Sequence, residues 1–168
     1  MTKSIIVSSE STNLYTTIRF LEEAKKLKLN PIHLNPFQFH LKIQNKKQIA
    51  ANASHYLFRT TGIRFDDMDL LIAKDFESKG AKIINPLPSI INNRNKDMSL
   101  LNLKLGSFPT INSFVYRGKL NADLIKTISK ISIDEKYILK MNRGNQGIGV
   151  QLINGLDSLL SILETYQA

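Results

Sequence analysis

The chain has 168 residues, enough for one large domain or two small ones with a real core. Apolar residues make up 42% and charged residues 22%, which excludes a disordered chain, and no stretch holds the roughly 18 apolar residues that a membrane-spanning helix needs. Cysteine is absent, which excludes disulfides, thiolate nucleophiles and cysteine-held metals, while a formal net charge of +9 points to an anionic partner.

In chain order, the opening MTKSIIVSSE has too short an apolar run for a secretory signal, so a soluble cytoplasmic protein is expected. Residues 4–8 (SIIVS) read as a short buried strand. Residues 14–28 carry Leu14, Ile18, Leu21, Ala24 and Leu27 at helical spacing, and Lys25, Lys26 and Lys28 suit the negative end of that helix. Asn30-Pro31 breaks it, and residues 32–34 begin a second strand. The stretch LKIQNKKQIA at 41–50 is compatible with a small hairpin, and HYLFR at 55–59 is a further strand, followed by a Thr60-Thr61-Gly62 loop. A helix is expected over 66–79, opened by Asp66, Asp67 and Asp69 and closed by Gly80. A helix N-terminus explains this acidic trio better than a metal site does. Residues 82–84 form a strand ended by Asn85-Pro86, and a short helix lies near 88–92.

Asn95 is placed to cap a helix over 96–105 that stops at Gly106. Phe108-Pro109-Thr110 turns into a strand expected at 112–116. A helix over 123–129, strands at 137–141 and 149–153, and a helix over 156–166 complete the chain. Strands alternating with helices indicate an α/β protein: an open-sheet domain over 1–94, then a second α+β unit over 95–168. Three strands leave that second sheet with exposed edges and little core, as if the chain stops early.

Residues 139–150, LKMNRGNQGIGV, carry the chemistry. Gly144, Gly147 and Gly149 free the backbone to turn N–H groups toward an anion, with Lys140 at the end of the preceding strand. A Walker A loop would need lysine where Val150 stands. A dinucleotide fingerprint would need GxGxxG opening a helix, whereas the order here is GxxGxG opening a strand. The pattern therefore gives a strand–glycine loop–strand hairpin. It serves either to bind phosphate or as a flexible hairpin beside a solvated lysine. His33, His40 and His55 have neither metal-ligand spacing nor a nucleophile partner. The positive charge is spread along the chain without a basic tail or aromatic platforms, which disfavours dedicated nucleic-acid binding.

With its order of motifs, the chain resembles the RimK-type carboxylate–amine ligases of the ATP-grasp superfamily. The residues that carry the resemblance run from Phe58-Arg59-Thr60-Thr61-Gly62 through Ile84-Asn85, Lys96 and Pro109-Thr110 to Leu139-Lys140 and the GxxGxGV loop. Asn95 departs from the acidic residue usual before the first lysine. The resemblance implies a pre-ATP-grasp domain over 1–94 and the first, incomplete lobe of an ATP-grasp domain over 95–168. It implies that ATP phosphorylates a carboxylate and that an amine attacks the acylphosphate. Lys96 and Lys140 would contact the phosphates. Gly144, Asn145, Gln146, Gly147 and Gly149 would cover them, and Arg59 would hold a substrate carboxylate. An ion pair with the early-helix aspartates is the alternative role for Arg59.

The family's magnesium ligands and its catalytic arginine have no counterpart before Ala168. No catalytic or metal-binding residue is therefore assigned, Mg2+ is expected to be held by a missing C-terminal part, and this chain alone is expected to be inactive. Expected partners are ATP, a peptide, protein tail or amino acid supplying carboxylate and amine, and a second copy or a complementing C-terminal half; no membrane is involved. Two other readings stay open: a natural short, non-catalytic relative that binds nucleotide or a partner, and a basic α/β module for RNA.

Overall fold

The computed structural model describes residues 4–41, 43, 53–60, 66–144 and 146–166. Two compact units divide the chain, Met1–Arg94 and Asn95–Ala168, each with its own core.

In the first unit, β1 (Ser4–Ser8) is flanked by β2 (Asn30–Leu34) and β3 (Ala53–Phe58), with β4 (Lys82–Ile84) beyond β3. All pairs are parallel, so the order β2-β1-β3-β4 reverses direction of growth between β1 and β3. A central parallel strand is covered on both faces, which is why SIIVS is continuously apolar between its serines. α1 (Tyr15–Lys26) lies between β1 and β2 in sequence. Its exposed side is laced by Arg19 with Glu22 and Glu23, and by Lys26 with Glu23. α2 (Met68–Ser78) and α3 (Leu87–Arg94) flank β4 in sequence. Ile6, Tyr56 and Ile83 from three adjacent strands meet Ile72, Ala73 and Phe76 of α2 and Leu87 of α3 in one core. Each such large apolar side chain contributes roughly 1.5–3 kcal/mol by leaving water.

The expected α/β character holds, and most expected elements form within one or two residues of their expected bounds. α2 begins later than its acidic run, at Met68, leaving Asp66 and Asp67 ahead of the helix. Gly80 follows its end at φ +93°, a left-handed conformation that an L side chain resists. The hairpin expected in LKIQNKKQIA lies outside the described residues, apart from Leu41 and Ile43.

In the second unit, α4 (Lys96–Leu105) and α5 (Ala122–Ser129) precede the antiparallel pair β5 (Lys136–Lys140) and β6 (Val150–Asn154), and α6 (Leu156–Thr165) follows. Tyr137 and Ile153 point to one side and pack with Ile128 of α5 and Leu159 of α6. The strand expected at 112–116 does not form. That stretch takes no regular secondary structure, and the sheet has two strands among the described residues. Its Phe114, Val115 and Tyr116 suit a strand, but β preference is expressed only against a partner edge. The turn after α4 also differs in detail. Gly106 has an ordinary negative φ, and Ser107 takes the left-handed position at φ 60°. Space is tight at Gly106, where a Cβ would sit 3.0 Å from the Phe108 ring.

Candidate functional site

The β5–β6 hairpin presents two different faces. Pairing sets Ile138 opposite Leu152 and Lys140 opposite Val150, so these four residues share the side facing away from Tyr137 and Ile153. That side is open: Ile138 is 59% exposed and Leu152 68%, with Val150 and Lys140 also exposed. Lys140 thus stands at the rim of an uncovered apolar strip, where the strand enters the glycine loop.

The loop is closed at its base by Met141 N–H donating to Gly149 O at 3.1 Å, and by Val150 N–H donating to Gly147 O at 3.1 Å. Gln146, Gly147 and Gly149 all have positive φ, at 52°, 78° and 71°. The glycines are needed for different reasons. A Cβ on Gly147 would meet open space, so only its φ demands glycine, while a Cβ on Gly149 would stand 2.6 Å from Met141 Sδ. Gly144 has no left-handed φ. A Cβ there would lie 3.1 Å from Ile148 O and 3.5 Å from Lys96 Nζ. Asn145 lies outside the described residues.

Lys96 and the loop, far apart in sequence, meet directly. Lys96 Nζ donates to Gly144 O at 3.0 Å and to Asn142 O at 3.5 Å, and Lys96 N–H donates to Asn142 O at 3.1 Å. Asn142 Oδ1 accepts from Asp97 N–H at 3.1 Å. Asn95 occupies the N-cap position of α4, but its side chain does not cap the helix. Its Oδ1 accepts instead from Arg143 Nε at 2.8 Å. This corrects the capping role expected for Asn95, because the partner it takes comes from the loop. Sequence reading missed Asn142 and Arg143. Both lie within two or three residues of Lys140, but their partners lie more than forty residues earlier, beyond any local pattern.

In the first unit, Arg59 follows β3 at the carboxyl ends of the parallel strands, beside the reversal point between β1 and β3. Among the described residues its guanidinium has no ion-pair or hydrogen-bond partner, so the alternative role for Arg59 is not realised there. The aspartates are taken by Arg94: Nη1 bonds Asp67 Oδ1 at 2.9 Å and Nη2 bonds Asp69 Oδ2 at 2.5 Å. Thr60 Oγ1 also donates to Asp69 Oδ2, at 2.7 Å. Burial works against the Arg94 charge, but the hydrogen bonds and charges of Asp69, then of Asp67, outweigh it and hold its pKa above the ordinary arginine value.

The histidines described are engaged locally. His33 Nε2 lies 3.0 Å from Ser9 Oγ, His55 Nδ1 lies 3.0 Å from Ser54 Oγ, and the His40 ring stacks on Phe39. Among the described residues, no group of three or more His, Asp or Glu could hold a metal ion, and no helix is long and apolar enough to cross a membrane.

No protein-family model matches the chain. It is 33% identical over 142 residues to a probable alpha-L-glutamate ligase of Haemophilus influenzae strain PittEE, an alignment covering 84% of this chain and 46% of the relative. The corresponding protein of strain 86-028NP is also 33% identical, with 45% of it covered. The chain spans about half the length of these curated relatives. Its fold is similar to the crystal structure of a RimK domain ATP-grasp protein from Sphaerobacter thermophilus, with a TM-score of 0.69 and 17% identity, covering 95% of this chain and 58% of that one.

Proposed function

We propose that this chain, which its curated relatives and its structural neighbour support as a RimK-type ATP-grasp ligase, supplies the phosphate-gripping part of an ATP-dependent carboxylate–amine ligation. The unit Met1–Arg94 is then the pre-ATP-grasp domain, and Asn95–Ala168 is the first lobe of the ATP-grasp domain. The observation that carries this reading is the joining of Lys96 to the glycine loop by direct hydrogen bonds, in the hairpin whose first strand ends in Lys140.

The residues present fit a nucleotide. Gly147 and Gly149 hold positive φ that an L side chain would strain, which leaves their backbone free to turn N–H groups toward an anion, and two lysines supply the charge to balance phosphates. ATP supplies a phosphoryl group that activates a carboxylate for attack by an amine. This chain's part is positioning and charge neutralisation, the two main contributions a protein makes to phosphoryl transfer. Lys140 and Lys96 would hold phosphate oxygens, Gly144, Asn145, Gln146, Gly147 and Gly149 would cover them, and Ile138, Val150 and Leu152 offer a flat apolar surface to the base. Arg59 would bind the substrate carboxylate bidentately. The magnesium that accompanies ATP finds no ligand set among the described residues.

The test is thermal unfolding of the 168-residue chain with and without MgATP. Binding at about 100 times Kd adds roughly 2.7 kcal/mol of stability, so Tm should rise clearly. Lys140→Ala and Gly147→Val should each remove most of that rise without unfolding the free chain. An unchanged Tm in the wild type, with no nucleotide retained on equilibrium dialysis, would sink the proposal for this chain.

A further inference from the structure

α4 is capped from outside its own sequence neighbourhood. A helix of this length leaves its first N–H groups unpaired, and the N-cap side chain normally takes one of them. Asn95 does not do this; its Oδ1 accepts from Arg143 Nε. Asn142 does it instead. Its carbonyl takes the N–H of Lys96, its side-chain Oδ1 takes the N–H of Asp97, and the carbonyl also receives Lys96 Nζ. One residue, two positions beyond Lys140, therefore meets the backbone and the side chain of Lys96 and sits at the mouth of the glycine loop.

We infer that Asn142 is a positioning residue that locks the glycine loop to the start of α4, so that Lys96 and the loop present themselves to an anion as one preorganised unit. The inference rests on the nucleotide reading of the site. Its physical basis is the entropic cost of ordering. A lysine side chain and a glycine loop that had to be fixed at the moment of binding would each lose conformational freedom, and Asn142 removes much of that loss in advance. Lys96 Nζ is held by the carbonyls of Gly144 and Asn142 in the free protein, so it is already oriented, and it exchanges these weak acceptors for a charged one on binding. Arg143 supports the arrangement by engaging Asn95, which leaves the helix start to Asn142.

The experiment compares wild type, Asn142→Leu, Asn142→Asp and Lys140→Ala as full chains, using MgATP titration and amide hydrogen exchange. Leucine keeps the volume and removes the acceptor. Losing a cap typically costs about 1 kcal/mol, so Asn142→Leu should weaken MgATP binding by roughly five- to tenfold. Without ligand, it should raise exchange at the Lys96, Asp97, Met141 and Val150 amides together. Asn142→Asp keeps the acceptor and should restore protection at Asp97. Wild-type affinity in Asn142→Leu, with binding lost in Lys140→Ala, overturns the inference and leaves the nucleotide reading standing. If Lys140→Ala also binds normally, the nucleotide reading fails and the inference falls with it. If the wild-type chain binds no MgATP, the nucleotide reading fails and the inference falls with it; where the wild type binds, faster exchange of Asn142→Leu at Asp97 alone overturns the coupling, and faster exchange at all four amides supports it.

Discussion

Tyr56 and Asp69 illustrate what single residues contribute beyond the candidate site. Tyr56 is fully buried between Ile6 and Ile83 in the sheet, with its ring 5.2 Å from that of Phe76. Its hydroxyl lies near Ser8 Oγ, yet neither atom meets hydrogen-bond geometry with any described residue. Burial pushes the phenol from 10.0 up to about 12, opposed by Ser8 and aided by the nearby charge of Asp69. The folded chain therefore keeps a proton that the unfolded chain releases. The associated stability is complete below pH 10 and is lost as pH rises toward about 12. Across that window, wild type should lose up to about 1.4 kcal/mol per pH unit more than Tyr56→Phe in urea unfolding, and equal slopes would contradict the assignment. The Asp66, Asp67 and Asp69 trio was visible in the sequence as a helix start. Its partner was not, because Arg94 reaches Asp69 across 25 residues, and no local spacing encodes such a contact. Arg59 was the counter-ion weighed in the sequence as the alternative to substrate binding, and Arg94 takes that place.

At the level of elements, the sequence was most readable where burial and period agree. SIIVS, KII and YILK are short apolar runs bounded by polar or breaking residues, and each forms the expected strand. The segment 112–116 has similar composition but no strand, because a strand is a property of a pair and its partner edge cannot be read from its own residues. Helix caps divide in the same way. Asn121 is a local cap whose Oδ1 accepts from Leu124 N–H at 2.9 Å, three residues on, a relation that spacing alone can suggest. Asn121→Ala should therefore destabilise the second unit by about 1 kcal/mol in denaturant unfolding, whereas a value near zero would mean that solvent replaces the bond without loss. Asn95, the same residue type in the same position, has its side chain drawn elsewhere by Arg143.

For the molecule as a whole, the two units have cores of unequal size. Among the described residues, the first gathers nine buried residues and the second four, so the first should open less readily. Native-state hydrogen exchange should find slower amides in β1 and β3 than in β5 and β6. Ile153→Ala, which removes a member of the smaller core, should speed exchange in β5 and β6 and leave β1 unchanged. Uniform acceleration across both units would show that they unfold as one. The α/β character was legible from alternating elements, and the candidate site from its glycine spacing and Lys140. The linkage of that site to α4 was not, since it depends on backbone carbonyls that carry no residue signature.

The bare strip formed by Ile138, Leu152 and Val150 also bears on how the chain behaves in solution. Nine excess positive charges, spread along the sequence, keep copies apart while their fields extend through the solvent. Added salt shortens that reach from about 10 Å at 0.1 M to about 3 Å at 1 M, while the attraction between oily surfaces persists. Low-salt media favour a clear, dispersed preparation, and high-salt media favour self-adhesion through that strip.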